Sequence, residues 1–315
     1  MNYEGQICRA PMERGAFMLP VMVGCSYNGC KFCNLFRHLK YRKLPVEQIE
    51  SELQRVKACS GSPKRIFLGD GNAFDLPMEE LSAILRLVKS YFPQCGMINM
   101  DATVTGILKK TREDLRALYG LGARHLYLGI ETGLDDVLSF MNKDHTLEEA
   151  YEAIRRLQEA GLTFDAHIMT GVAGKGRGEE NALALARFLN QTHPAHVVNF
   201  SMFLHKEVPL YREAERGAFT QADELECLKE ELSLIERAGT EEYPISYDGF
   251  HDFIEFRVRG ILPRDREKMK EKLQAEIRKY EGKRPVYSLV YGDLLRLAML
   301  DLNNMISNSL KSLKM

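Results

Sequence analysis

The chain predicts an α/β fold: a partial (β/α)6, TIM-like barrel with an α-rich C-terminal extension. Two observations carry this. Six short β-rich runs alternate with amphipathic helical stretches between residues 18 and 205, and beyond residue 205 helical patterns dominate. Repeated strand–helix units imply a parallel sheet with right-handed crossovers. Six units over about 185 residues suit an open six-stranded barrel better than a closed eight-stranded one of ~250 residues.

The strands are expected at Met18–Val23, Arg65–Leu68, Met97–Met100, His125–Ile130, Thr163–Met169 and Val197–Phe203. Each is short, apolar on at least one face and bounded by Gly or Asp/Asn. Between them, Val46, Ile49, Leu53 and Val56 recur at helical spacing after Pro45, and Cys59 continues that face into the expected helix–sheet core. Leu147, Ala150, Tyr151, Ile154 and Leu157 do the same behind a Thr146/Glu149 capping box. The expected organisation is an N-terminal extension over 1–17, the barrel over 18–205 and a mostly helical region over 206–315 that closes the barrel. Its helices are expected at Ala222–Arg237, Arg264–Tyr280 and Ser288–Asn308.

A chain of 315 residues with net charge −1 has no global field that favours nucleic acid or an acidic membrane. Its start, Met1-Asn2-Tyr3-Glu4-Gly5-Gln6, lacks the basic and apolar regions of a signal peptide. No apolar run approaches the ~18 residues of a membrane span. The expected setting is cytoplasmic and reducing.

Cys25, Cys30 and Cys33 are the most informative residues. They share one short loop after the first strand, at the strand-end face where a barrel places its chemistry. A reducing compartment disfavours disulfides, and three clustered thiolates can hold an iron–sulfur cluster with one iron left free. Two alternatives stay open on the residues alone. The Cys-x4-Cys-x2-Cys spacing is that of plant-type [2Fe–2S] ferredoxins, with Cys59 as fourth ligand. A structural zinc site would need a fourth ligand such as His38. The scattered Cys8, Cys59, Cys95 and Cys227 are expected to serve as small apolar side chains.

Four motifs then occur in order: the cysteine loop with Phe32 before its last cysteine, Phe67-Leu68-Gly69-Asp70-Gly71-Asn72, Leu128-Gly129-Ile130-Glu131-Thr132-Gly133 continuing to Met141-Asn142-Lys143, and His167-Ile168-Met169-Thr170-Gly171. Over residues 18–205 the chain resembles the radical S-adenosylmethionine (radical SAM) superfamily. The branch it resembles holds tRNA methylthiotransferases, the Elongator-type enzyme and oxygen-independent coproporphyrinogen oxidases. One departure is the cysteine spacing, usually Cys-x3-Cys-x2-Cys; the turn-forming pair Asn28-Gly29 suits the extra residue.

The resemblance implies a [4Fe–4S] cluster on the three cysteines and S-adenosylmethionine on the open iron, cleaved reductively to a radical that removes hydrogen from a substrate. It also implies roles for further residues. Phe32 would lie near the adenine. The Gly69-Asp70-Gly71 turn would meet the methionine amino group, and Glu131 would contact S-adenosylmethionine. Lys143 would pair with the methionine carboxylate, and His167 stands where some relatives place an aspartate for the ribose. Asn99 and Asp101, on one face of the third strand by the period-two rule, are candidates to line the cavity.

Between Arg257 and Arg284 there are eleven basic and five acidic residues, a local positive excess suited either to a solvated helix or to anion binding. His251, Arg257 and Arg259 are candidate substrate residues, with at least one arginine expected to face the cavity. Without a second cysteine cluster or an evident RNA-binding domain, a small-molecule substrate is expected and nucleic acid is not. By resemblance, the electron donor would be a flavodoxin or ferredoxin.

Overall fold

A computed structural model of the chain describes residues 8–290. One eight-stranded sheet organises it, from strands β1 (Phe17–Pro20), β2 (Arg65–Gly69), β3 (Met97–Ala102), β4 (Ala123–Glu131), β5 (Thr163–Thr170), β6 (His196–Ser201), β7 (Ile245–His251) and β8 (Phe256–Leu262). They lie side by side in chain order. All neighbours are parallel except β7 and β8, which form an antiparallel hairpin.

The two faces differ as period-two alternation requires. Ile66, Leu68, Ile98, Met100, Leu126, Leu128, Phe164, Ala166 and Val197 turn outward into one continuous core with the helices. That helical layer includes α1 (Val46–Ala58), α2 (Met78–Tyr91), α3 (Arg112–Gly120), α4 (Leu147–Glu159), α5 (Gly178–Thr192), α6 (Glu224–Arg237) and α7 (Arg266–Tyr280). The expected capping box forms at Thr146 and Glu149. The inner face carries Phe67, Asn99, Tyr127 and His167 instead, and the chemistry lies there. This is the partial barrel.

Several expectations differ from the structure. The first strand ends at Pro20, and Met22–Val23 leaves the sheet to pair with Arg42–Lys43, closing the cysteine loop into a single excursion. The region after residue 206 is not helical throughout. Its α6 and α7 stand where helices are expected, but β7 and β8 extend the sheet from six strands to eight. Their alternation is masked by polar side chains on the inner face, Asp248, Arg257 and Arg259. Leu289–Val290 pairs with Leu204–His205 rather than opening a helix; the rest of the helix expected to Asn308 lies outside the described residues. Cys59 does not enter the core: it is the exposed cap residue after α1, where the helical face has ended.

The segment before β1 packs into the barrel. Ala10 and Ala16 form an apolar cluster with Met18, Phe67 and Tyr127. The carboxylate of Glu13, fully buried, accepts hydrogen bonds from Asn99 Nδ2 (2.5 Å) and the Tyr127 hydroxyl (2.6 Å).

Candidate functional site

Glycine geometry sets the entrance to the site. Gly71 has φ +136°, and a Cβ there would collide with the Gly24 carbonyl oxygen, so only glycine lets the loop after β2 meet the start of the cysteine loop. The Gly24 N–H donates to the Asp70 carbonyl (3.0 Å). Side chains tie the same loops together. Asn72 accepts from the Ser26 N–H (2.9 Å), and Asp75 accepts from Asn72 Nδ2 (2.6 Å), Ser26 Oγ (2.9 Å) and Thr103 Oγ1 (2.8 Å).

Within the cysteine loop, Asn28 takes up the extra residue in a left-handed conformation, φ +46°, and its N–H points at Cys25 Sγ (3.3 Å). Arg37 clamps the loop by donating to the Cys33 carbonyl (2.6 Å) and to the Cys30 carbonyl. On the far side, the Tyr27 hydroxyl donates to the Asn142 carbonyl (2.6 Å) and Asn142 Nδ2 to the Gly29 carbonyl (2.9 Å), so Lys143 is carried to the loop.

The result is a cavity of about 380 Å³ at the strand-end face, bordered by Cys25, Cys30, Cys33, Phe32, Gly71, Asp101, Glu131, Lys143 and His167. A bulge in the β4–β5 ladder at Gly129–Glu131, with Glu131 at φ +65°, re-aims its carboxylate. Lys143 Nζ meets Glu131 Oε1 at 3.1 Å and Asp144 Oδ1 at 3.9 Å. Burial alone would lower the Lys143 ammonium, but the Glu131 and Asp144 carboxylates carry it above its ordinary value, so it stays charged. Burial pushes the Cys30 thiol up to about 12 and moves Cys25 and Cys33 the same way, so without metal all three are neutral thiols.

Burial raises Asp101 to about 8, with Asp70 and Glu13 adding to it, and raises Asp70 to about 6. His167 is lowered by burial and stays neutral; its Nε2 has no hydrogen-bond partner among the described residues.

The predicted residues divide in two. Gly69 and Asp70 stand behind the cavity wall rather than on it. Asn99 shares the inner face with Asp101 but is held by Glu13 below the cavity. Arg257 lies over the Phe250 ring (4.1 Å), which stacks on Phe200 (5.3 Å), a cavity residue. Its guanidinium pairs with Asp248 (2.7 Å), as does that of the more exposed Arg259 (3.4 Å). His251 is turned away. Two-residue alternation on β7 sends Asp248 and Phe250 inward and His251 outward, where Glu224 (2.7 Å) and Glu231 (3.0 Å) on α6 hold its two ring nitrogens. It is not a cavity residue.

Sequence reasoning missed Tyr127, Phe200 and Cys8, all on the cavity wall. Tyr127 falls in the predicted β4 and was findable by alternation. Cys8 carries no local signal.

The donor set discriminates among the rival groups. His38 is exposed and absent from the cavity wall, as is Cys59, which removes the proposed fourth ligands for zinc and for a [2Fe–2S] centre. Among the described residues, no three His, Cys, Asp or Glu side chains converge tightly enough for a single metal ion. Three thiols around one cavity, beside a charged Glu–Lys pair and an unpartnered imidazole, fit a multi-iron cluster with a polar small molecule next to it.

Comparison with known proteins agrees. The chain is 22% identical over 228 residues to the heme chaperone HemW of Bacillus subtilis, covering 69% of this chain and 59% of that protein. It is 27% identical over 183 residues to the tRNA-2-methylthio-N(6)-dimethylallyladenosine synthase of Pelodictyon phaeoclathratiforme, covering 55% and 40%. It thus spans roughly half the length of these curated relatives. Among solved structures, coproporphyrinogen III oxidase (HemN) from Escherichia coli shares the fold, with a TM-score of 0.55 at 17% identity over 71% of this chain and 53% of that one. The model of the Radical SAM superfamily, enzymes that use a [4Fe–4S] cluster and S-adenosylmethionine, matches residues 19–189 and so takes in every strand and loop that builds the cavity from Cys25 to His167: the chain belongs to the Radical SAM superfamily.

Proposed function

We propose that the protein is a radical SAM enzyme acting on a small molecule, with Cys25, Cys30 and Cys33 as its cluster ligands. The observation that carries this is the convergence of the three thiols, the Glu131–Lys143 pair and His167 on one cavity. When bound, the cluster and S-adenosylmethionine supply an electron and a 5′-deoxyadenosyl radical that removes hydrogen from the substrate.

The chain's own residues bind and shield. Lys143, kept charged by Glu131, presents an ammonium to a carboxylate. The neutral His167 offers Nε2 to a hydroxyl. Phe32, Tyr127 and Phe200 wall the cavity with rings that exclude water. Asp101 lines the same space, and Arg257, one ring beyond Phe200, would meet an anionic group of a substrate that exchanges for Asp248.

A flavodoxin or ferredoxin in a reducing cytoplasm is the proposed electron donor. Similarity to a tRNA-modifying enzyme supports a second reading, in which the substrate is a nucleotide of tRNA. No helix among the described residues is long and apolar enough to cross a membrane.

The test is anaerobic reconstitution. The expected protein is brown, holds about four irons per chain and forms 5′-deoxyadenosine when dithionite and S-adenosylmethionine are added. Cys25→Ala, Cys30→Ala or Cys33→Ala should each abolish that product, and Cys59→Ala should not. Iron lost with Cys59 and kept without Cys25 would refute the ligand set. Untargeted metabolite comparison of a deletion strain, alongside its tRNA nucleosides, separates the two substrate readings.

A further inference from the structure

We propose that Cys8 is a fourth, displaceable ligand of the cluster, bonded to the iron that Cys25, Cys30 and Cys33 leave open until S-adenosylmethionine takes its place. The inference rests on the cluster assignment above and adds a residue outside the cysteine loop and outside the matched family segment, residues 19–189.

Four of the seven cysteines border one cavity. Cys95 and Cys227 are buried, and Cys59 is exposed on the helical side. Cys8 is not an apolar filler: it belongs to none of the hydrophobic clusters, although its neighbour Ala10 does. It borders the same cavity as Cys25, Cys30 and Cys33.

A second observation fixes it there. The Cys8 N–H donates to Asp70 Oδ1 (3.0 Å), while the Asp70 carbonyl accepts from Gly24, the residue before Cys25. One residue thus ties the backbone of Cys8 to the start of the cluster loop. Asp70 is only 4% exposed, and its Oδ2 has no hydrogen-bond partner among the described residues. A buried carboxylate oxygen left unpaired is costly.

The step conserves electrons. The Cys8 S–H bond breaks, its proton passes to solvent water and the thiolate sulfur bonds to iron; no oxidant or reductant is consumed. When the amino and carboxylate groups of S-adenosylmethionine take the iron, the Fe–S bond to Cys8 breaks and the thiolate takes a proton back from solvent water. The resting cluster then has no iron open to solvent.

Thiol labelling of the full-length, cluster-loaded protein tests this without substrate or turnover. N-ethylmaleimide labelling of Cys8, followed by mass spectrometry, should be at least tenfold slower in loaded than in metal-free protein. Adding S-adenosylmethionine should speed it at least tenfold, because the ligand is released. A thiol that was merely buried would show the opposite, since a bound cofactor shields it further; slower or unchanged labelling overturns the proposal. Cys8→Ala should keep its cluster, lose iron to a chelator about tenfold faster without S-adenosylmethionine, and match wild type with it. Equal iron loss in both proteins without cofactor also overturns it. If the wild-type protein forms no cluster, the proposed function itself fails; if cluster and cofactor bind but Cys8 labelling does not rise, only this inference does.

Discussion

Lys143 Nζ and Glu131 Oε1 lie 3.1 Å apart at the edge of the cavity, joining the end of β4 to the loop that grips Gly29. Two largely buried opposite charges depend on one another, because removing either leaves the other uncompensated. The pair is therefore a brace between the barrel and the cysteine loop, and in the proposed function it is also a contact for the cofactor.

Glu131→Gln should weaken S-adenosylmethionine binding by about 1.5–3 kcal/mol, the worth of a charge-assisted hydrogen bond, with iron content unchanged. Paired with Lys143→Met in a double-mutant cycle, the coupling should fall at about 0.5–3 kcal/mol. Calorimetric titration of the loaded variants measures both. Unaltered affinity in Glu131→Gln would mean that the carboxylate only braces the loop.

Gly71→Ala should displace the cysteine loop. The new Cβ meets backbone, the Gly24 carbonyl oxygen, at a φ of +136° that side chains rarely adopt, so the loop has to move. A loss on the order of 2 kcal/mol or more is expected, with lower iron content after reconstitution. Gly15→Ala, with nothing within 4 Å of its Cβ and no positive φ, is the matched control and should behave as wild type. Full iron loading in Gly71→Ala would show that the close approach is dispensable.

Stability of the metal-free protein should fall as pH rises from about 6 to 9.5. Burial by itself would lower the His251 imidazole, but its hydrogen bonds to Glu224 and Glu231 overcome this and carry it from 6.5 to about 9. The folded chain thus keeps a proton that the unfolded chain releases between those values, and the stabilisation, complete below 6.5, is lost through 9. Glu230, raised from 4.5 to about 8 by burial, acts in the same direction over its own window. Urea midpoints across this range measure the slope. His251→Gln should flatten it between 6.5 and 9, and a midpoint that climbs with pH in wild type would contradict the buried imidazolium.

How much of this was legible depends on where the pattern is written. Strands with an apolar outer face, such as Ile66 and Leu68 or Leu126 and Leu128, announce themselves at period two. The cysteine loop and the Gly69–Gly71 turn are legible because few residue types can do what those places require. The hairpin of β7 and β8 was not, since Asp248, Arg257 and Arg259 interrupt the apolar signal on the inner face of the sheet. Counting Ile245, Tyr247, Gly249 and His251 against Ser246, Asp248 and Phe250 would have found it, and would have turned His251 away from the cavity. Cys8 and Glu13 had no such signal, because their partners are Asp70, Asn99 and Tyr127, at least sixty residues away.

Glu13 gives the front of the chain an architectural duty. A variant shortened to begin at Phe17 would strip the Asn99 amide and the Tyr127 hydroxyl of their shared acceptor and open an unlined shaft beneath the cavity. For anyone building affinity-tagged or fused versions, residues 8–16 belong with the barrel they fill, and trimming them as a leader would hollow out the floor on which the cofactor pocket stands.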